Sequence, residues 1–178
     1  MNMDVELAAQ TALLGLDEFE CVESSWDRKN KLRRFTLVPK VIVGLCPDCH
    51  GATDERHQCY DRVVADLPMG DQRVELVMQL SQFRCPDCDK FFCPRSAALA
   101  EGAHATERLL ERLAELASHS DLAMAARFFA IAEKTAEGWY YQYLRRIQKE
   151  PAPHLKPVRS LGIDELSLKK DTGNSAAC

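Results

Sequence analysis

Two Cys-Pro-Asp-Cys tetrapeptides carry the clearest chemistry in this chain of 178 residues. They occupy Cys46–Cys49 and Cys85–Cys88, so the pattern is C-x2-C, 35 residues, C-x2-C. Each tetrapeptide lets two thiolates bind one metal ion from a single tight turn, and two such turns complete a tetrahedral shell of four sulfurs. That shell suits zinc and leaves no open coordination position. The pattern therefore predicts one structural zinc ion, with the ligands Cys46, Cys49, Cys85 and Cys88.

Other uses of these cysteines are less favoured. A redox role fits poorly, because thioredoxin-like sites use one C-x-x-C motif beside a β-α-β pattern. Iron also binds four thiolates and stays a smaller alternative. Cys93 is near enough in sequence to replace Cys88, although the symmetric pairing is preferred, and His50 and Cys59 are further spare ligands. Cys21 lies in a predicted strand and is expected to be an ordinary small buried residue.

The segments around the cysteine motifs predict a β-rich domain over residues 1–100. A short helix is expected at residues 6–16, and strands at 19–26 and 31–43 form a hairpin around the polar turn 27–30. The apolar surface of this hairpin is expected to include Phe35, Leu37, Val41 and Val43.

A second strand pair is predicted between the two cysteine motifs. Residues 60–65 and 73–83 flank a turn signal at 67–71. Alternate residues of the second strand share one apolar face, namely Val74, Leu76, Met78 and Leu80. A strand pair between two metal-binding turns is the expected arrangement of a zinc ribbon.

From residue 104 the apolar spacing changes from alternation to a helical period. Leu109, Leu113 and Leu116 share one face, and Thr106 is a candidate N-cap. Two further helices are predicted at 122–129 and 134–149, separated by the short break 130–133. This order over residues 103–149 predicts a three-helix, helix-turn-helix domain, in which the last helix reads DNA.

The last helix has two expected faces. Ala136, Trp139, Tyr143 and Ile147 fall at core spacing, and Gly138 allows a close backbone approach. The residues expected to contact DNA are Lys134, Thr135, Tyr141, Gln142 and Arg145, with Arg146 and Lys149 near phosphates. A plain three-helix bundle with an aromatic core fits the periodicity equally well.

The net charge of −4 is concentrated at the amino terminus. Residues 1–27 contain seven acidic and no Lys or Arg side chains, whereas residues 28–95 contain twelve Lys or Arg and nine acidic ones. Because phosphate binding needs local rather than global charge, the composition permits DNA binding without demanding it.

The hydropathy and composition of the sequence indicate a soluble protein. No apolar run approaches the roughly 20 residues of a membrane helix, and the acidic amino terminus is unlike a secretory signal. We expect a cytoplasmic protein with no membrane partner. In that reducing compartment, paired cysteines more often bind metal than form disulfides.

Several motifs in this order match one known pattern. They are Leu13–Leu16, Cys46-Pro47-x-Cys49, Asp66-Leu67-Pro68, Phe83–Cys88 followed by Phe91-Phe92, the three predicted helices, and Leu161–Lys170. Together they resemble the amino-terminal half of the ISL3-family transposases, the IS204/IS1001/IS1096/IS1165 group. The resemblance covers nearly the whole chain up to the last of these motifs.

The resemblance has a specific implication for catalysis. Leu161–Lys170 resembles the first strand of the family's RNase H-like catalytic domain, in which Asp164 corresponds to the first acid of the DDE triad. Two-metal phosphoryl transfer needs several carboxylates that converge on metal ions about 4 Å apart. Residues 150–178 supply a proline-rich linker and one orphan strand, so we expect a truncated transposase that does not cut or join DNA.

The sequence thus predicts an α+β protein, with an N-terminal β-rich zinc ribbon followed by a three-helix domain. The resemblance implies a prokaryotic, nucleoid-associated protein that binds double-stranded DNA sequence-specifically and recognises transposon ends or represses transposition or transcription. One alternative is a protein-interaction or adaptor module captured from a transposase, and another is the DNA-binding half of a split transposase. A homodimer would match the inverted pairing of transposon ends, although no residue pattern shows one.

Overall fold

A mixed β-sheet forms the centre of the fold and carries helices at both ends of the chain. The computed structural model describes residues 3–149, so Asp164 and the predicted linker and strand at 150–178 lie outside the described residues. The elements are α1 (Met3–Leu14), β1 (Phe19–Asp27), β2 (Leu32–Pro39), β3 (Gly44–Leu45), β4 (Ala52–Thr53), β5 (Arg56–Met69), β6 (Gln72–Arg84), β7 (Phe91–Phe92), α2 (Glu107–His119), α3 (Leu122–Phe128) and α4 (Glu133–Lys149).

The main sheet joins the two predicted strand pairs. Its strand order is β1-β2-β6-β5, with β7 paired to the end of β6, while β3 and β4 form a separate two-stranded sheet. The β1–β2 and β5–β6 pairs are antiparallel hairpins, as predicted, but β2 and β6 pair in parallel. The parallel register runs from Leu32 opposite Arg73 to Leu37 opposite Met78. The sheet is therefore one continuous surface rather than two separate hairpins.

One face of this sheet is buried beneath α1. The predicted alternation on β6 is confirmed, since Val74, Leu76 and Met78 are all buried and Leu80 packs against them. Cys21 is buried in the same core, also as predicted. Buried side chains from the neighbouring elements include Leu14, Phe35, Leu37 and Val64.

The second hairpin strand is shorter than predicted. Strand β2 ends at Pro39, and the chain then leaves the sheet. Val41 and Val43 are exposed, at 72% and 49%, so the expectation that they supply apolar surface to the hairpin is wrong. A proline cannot donate to the strand ladder, and here the strand ends on it.

Three helices pack around a separate core after the sheet. Thr106 caps α2, because its Oγ1 accepts a hydrogen bond from the Leu109 amide, and Asp121 caps α3 in the same way through Met124. Their shared core contains Leu109, Leu110, Leu113, Ala126, Phe129 and Ala136, with Trp139 and Tyr143 partly buried beside it. Ile147 is 40% exposed, so its assignment to the core was wrong.

The break between α3 and α4 is a defined helix-ending turn. The Ile131 amide donates to the Ala126 carbonyl at 2.9 Å, and the Ala130 amide donates to Arg127 at 3.1 Å. Ala130 has a φ of 53°. These features are those of a Schellman motif, in which the residue after the C-cap adopts a left-handed conformation that normally favours glycine.

The side chain of Ala130 therefore makes this turn less stable than it could be. We expect Ala130→Gly to raise the free energy of unfolding by about 1 kcal/mol, because glycine adopts the left-handed conformation without a Cβ clash. The same exchange inside a helix, Ala123→Gly, is expected to lower it by up to about 1 kcal/mol. Urea denaturation of both zinc-loaded variants checks the opposite signs, and equal losses would contradict the turn assignment.

Asp66 connects the sheet to two of the helices. Its side chain is buried on β5, where Oδ1 accepts hydrogen bonds from Thr106 Oγ1 at 2.7 Å and from Arg108 Nε at 2.8 Å. A second nitrogen of the guanidinium pairs with Oδ2. Arg108 Nη1 also donates to the Leu14 carbonyl at 2.6 Å, at the end of α1. One ion pair thus ties α1, β5 and the start of α2 together.

This ion pair predicts a large stability effect for one acidic residue and not for its neighbour. We expect Asp66→Ala to lower the free energy of unfolding by about 2–4 kcal/mol, because it leaves Arg108 and Thr106 without their shared acceptor. Asp61→Ala, on the exposed side of the same strand, should change it by less than about 0.5 kcal/mol. Equal effects of the two substitutions in urea denaturation would show that the ion pair does not hold these elements together.

Candidate metal centre

The two cysteine motifs fold into the same kind of loop. The first lies between β3 and β4, and the second between β6 and β7. The amide of the first cysteine of each motif donates to a carbonyl five residues later, at 2.9 Å in both loops. The residue after the second cysteine has a left-handed backbone in both, with φ of 60° at His50 and 54° at Asp89. The repeated tetrapeptide therefore produces two matching metal-binding knuckles.

The knuckles bring the four predicted ligands together. The sulfur atoms of Cys46, Cys49, Cys85 and Cys88 all lie within 4.8 Å of one another. Cys49 Sγ and Cys85 Sγ are 3.5 Å apart. Zn–S bonds of about 2.3 Å in a tetrahedron place sulfurs about 3.8 Å apart. The donor set and its spacing therefore fit one zinc ion.

The spare candidates do not join this group. Within residues 3–149, these four cysteines are the one cluster of three or more side chains placed to share a metal ion. Cys93 is exposed, and Cys59 Sγ instead lies 3.5 Å from Ser81 Oγ. The second knuckle therefore contributes Cys88, as the symmetric pairing predicted.

Burial on one side supports the sulfur cluster. Cys46 and Cys85 are each 1% exposed and pack with the rings of Phe83 and Phe92. Gly44 lies against both rings, and a Cβ there would come within 2.9 Å of each. A side chain at this position would displace the aromatic pair. The need for this glycine was missed, because nothing in the local sequence shows that two distant rings meet there.

The electrostatics of the cluster call for a cation. The pKa of Cys46 is lowered to about 7, because backbone amides of Cys49 and Asp48 donate to its sulfur. The pKa of Cys88 is raised to about 12, chiefly by its contact with Cys49 and then by burial. Thiols at this spacing resist ionising together unless a positive ion compensates their charge. A divalent metal provides that charge when bound, and its binding free energy stabilises the folded knuckles.

Two polar contacts, one exposed and one largely buried, link the segments that carry the two knuckles. Lys90 Nζ in the second knuckle lies 2.6 Å from Asp48 Oδ2 in the first. Thr53 Oγ1 donates to the Arg84 carbonyl at 3.1 Å. The ion pair is exposed and contributes little stability by itself. Together these contacts define how the knuckles face each other.

The predicted DNA-contacting residues of α4 fall into two groups. Lys134, Thr135, Tyr141 and Arg145 are exposed. Gln142 donates to the Glu101 carbonyl, and Arg146 pairs with Glu107, with its guanidinium 5.1 Å above the Tyr143 ring. The side chain of Lys149 lies outside the described residues. Gln142 and Arg146 therefore hold α4 against the rest of the protein, and four of the candidates face outwards.

Comparison with known proteins agrees with the geometry of the knuckles. The sequence profile of the zinc finger of transposase IS204/IS1001/IS1096/IS1165 matches residues 43–88, which include all four cysteines. Residues 43–88 are thus similar to the zinc ribbon of ISL3-type transposases. The matched segment runs from the residue before β3 to the last ligand, Cys88.

A whole-protein relative supports the same assignment. The chain is 29% identical over 134 residues to the transposase for insertion sequence element IS1001 from Bordetella parapertussis. The match covers 75% of this chain but 32% of that transposase, so the chain spans about a third of the length of its relative. No solved structure matches it. Among the described helices, none is long and apolar enough to cross a membrane.

The ligand assignment predicts different outcomes for chemically identical substitutions. We expect Cys85→Ser to reduce bound zinc from about one ion per chain to a small fraction, because the closed shell loses one of its four thiolates. Cys59→Ser and Cys93→Ser should keep the full zinc content. Elemental analysis after gel filtration measures the stoichiometry, and zinc retention by the Cys85 variant would exclude the proposed shell.

Proposed function

We propose that this chain is a sequence-specific DNA-binding region of ISL3 transposase type. The observation that carries the proposal is the helical pair α3–α4, which is joined by a short turn and follows a transposase-type zinc ribbon in the same chain. The IS1001 relative is by name a transposase, and a transposase must recognise the DNA on which it acts. In this assignment the zinc ion has a structural role.

The arrangement of α3 and α4 fits a helix-turn-helix. Helices α2, α3 and α4 contact one another pairwise, and the four residues 129–132 separate the last two. In such units the second helix of the pair enters the major groove, and its amino-terminal residues contact base edges. Lys134 and Thr135 occupy that position in α4 and are exposed. We therefore assign α4 as the recognition helix.

The outward face of α4 supplies the chemistry for reading DNA. Lys134 and Arg145 provide positive charge, Thr135 a hydroxyl, and Tyr141 an aromatic side chain that is 51% exposed. Gly138 is exposed on α4. Apart from the glycine itself, its two chain neighbours and the backbone of its own helix, no heavy atom comes within 4 Å of a Cβ built there. This glycine thus leaves space at the helix surface, and we assign that space to an approaching DNA backbone rather than to another helix.

We assign DNA recognition to the described residues. Asp164, which the resemblance matches to the first acid of the DDE triad, lies outside them. Recognition of transposon ends and repression of transposition both require the surface of α4. A split transposase, in which the catalytic half is encoded separately, would recognise its DNA through the same surface of α4.

One observation favours a second candidate, a protein-interaction module. Met124 and Phe128 lie one helical turn apart on α3 and are 47% and 66% exposed. Exposed apolar pairs of this kind occur at protein interfaces. This patch also fits a homodimer interface, which lets one protein bind two DNA half-sites.

Salt dependence tests the recognition helix. For the zinc-loaded chain and an arbitrary duplex of about 30 base pairs, the slope of log K against log salt should reflect the number of phosphates contacted, at about 0.9 for each. Lys134→Ala/Arg145→Ala should reduce this slope by about 1–2 and weaken binding. Lys40→Ala/Arg56→Ala removes the same charge near the ribbon and should leave the slope nearly unchanged.

Sequence specificity has its own measurement. Selection from a pool of random duplexes should enrich one motif with the natural chain, and Thr135→Ala should relax the preference at one position of it. The DNA-binding proposal fails if the natural chain shows no salt-dependent duplex binding. If the chain binds duplex DNA but no motif is enriched, the claim of sequence specificity is wrong.

A further inference from the structure

The tip of the first hairpin carries an unusual cluster of arginines around a tryptophan. We call residues 26–33 the hairpin tip. The guanidinium carbon of Arg28 lies 4.4 Å from the centre of the Trp26 ring, and that of Arg33 lies 5.0 Å from it. Trp26 is 45% exposed despite these contacts. Two cations thus share one aromatic side chain at the surface.

The charge of the tip is only partly neutralised. Lys31 pairs with Asp71 at 2.8 Å, in the neighbouring β5–β6 turn. In the part of the chain that the structure describes, Arg28, Lys29 and Arg33 form no ion pair with a carboxylate. The one acidic residue of the tip, Asp27, accepts hydrogen bonds from Asn30 and so closes the turn. The tip therefore presents three positive side chains that lie outside these ion pairs, together with the single carboxylate of Asp27.

The strand register places Trp26 and Arg33 directly across the sheet from Asp66, the residue that anchors α2. Trp26 is opposite Arg33, Arg33 is opposite Val74, and Val74 is opposite Asp66. Residues opposite each other in neighbouring strands share a sheet face, so Trp26, Arg33 and Asp66 lie on one face. Asp66 is where α2 is anchored. Three strand spacings, about 14 Å, separate the two points.

We infer that the hairpin tip is a second contact surface for duplex DNA, which binds backbone phosphates beside the helix-turn-helix. This inference rests on the proposed function, because it assumes that α4 contacts DNA. A guanidinium held on an aromatic face keeps its planar set of donors in a fixed direction, and that geometry suits phosphate oxygens. The tip also lies at the same end of the sheet as the anchor of α2, the helix on which α4 packs. The tip supplies affinity and orientation, whereas α4 supplies base recognition.

The test compares two matched pairs of substitutions in the full, zinc-loaded chain. Arg28→Ala/Arg33→Ala removes both stacked cations, and Lys40→Ala/Arg56→Ala removes equal charge at the other end of the sheet. The probe is a random-sequence duplex of about 30 base pairs, titrated by fluorescence anisotropy between about 50 and 200 mM salt. Circular dichroism and zinc content verify that each variant is folded. We expect the tip variant to lower the salt slope by about 1–2 and the control variant to change it little.

Two further variants separate charge from geometry. Arg28→Lys/Arg33→Lys retains both charges and should recover most of the salt slope, but with weaker binding than the natural chain. Trp26→Ala should weaken binding several-fold while the phosphate-contacting charges remain. Both results support a tip in which tryptophan orients the cations.

The outcomes distinguish this inference from the proposed function. If the α4 variant Lys134→Ala/Arg145→Ala loses binding while the tip variant behaves like the control, the tip surface is wrong and the DNA-binding function stands. If the natural chain itself shows no salt-dependent binding, both are overturned. An additive loss when the tip and α4 substitutions are combined supports two separate contacts on one duplex.

Discussion

A buried carboxylate, that of Asp66, determines how the two halves of this protein are joined. Removing a charged group from water is costly unless its partners replace the lost hydration. The guanidinium of Arg108 and the hydroxyl of Thr106 do so, and both belong to the start of α2. Because Arg108 also binds the last turn of α1 through the Leu14 carbonyl, the three elements cannot shift independently. The direction in which the helical unit leaves the sheet is therefore determined by this buried ion pair and by the adjoining backbone bridge between Ala65 and Ala105, and the position of α4 follows from it.

The end of the sheet away from Asp66 is stabilised by metal coordination rather than by an ion pair. The ribbon has a small core in which Phe83 and Phe92 pack with buried cysteines, too little apolar surface to order two loops without further help. Metal coordination replaces the missing hydrophobic burial there, because four thiolates and one ion connect segments distant in sequence. The long strands β5 and β6 run from this metal-held end to the end held by the Asp66 ion pair. The long strand pair β5–β6 is thus held at both ends, by the metal ligands at one and by the Asp66 ion pair at the other, and it supports the helices that follow it.

The sequence predicted those features that depend on neighbours along the chain. The cysteine spacing gave the ligands, the Thr106 cap marked the start of α2, and alternation identified the buried face of β6. Features set by distant partners could not be predicted. The parallel pairing of β2 with β6 leaves no local pattern, and the strands β3, β4 and β7 are too short to show a period. Val41 is apolar but exposed, because β2 ends before it. Gln142 and Arg146 have the composition of DNA contacts, yet packing turns them towards Glu101 and Glu107.

The parallel pairing of β2 with β6 also constrains the order of folding. Strand β6 lies between β2 and β5, so the centre of the sheet remains incomplete until residues 72–84 have been made. The first knuckle precedes β6 in the chain, and the second follows it directly. A nascent chain can thus hold metal with two sulfurs for some time, but the full shell closes only after the central strand is available. Contacts between such distant segments form slowly. Coordination by all four sulfurs accordingly follows the synthesis of the central strand and cannot precede it.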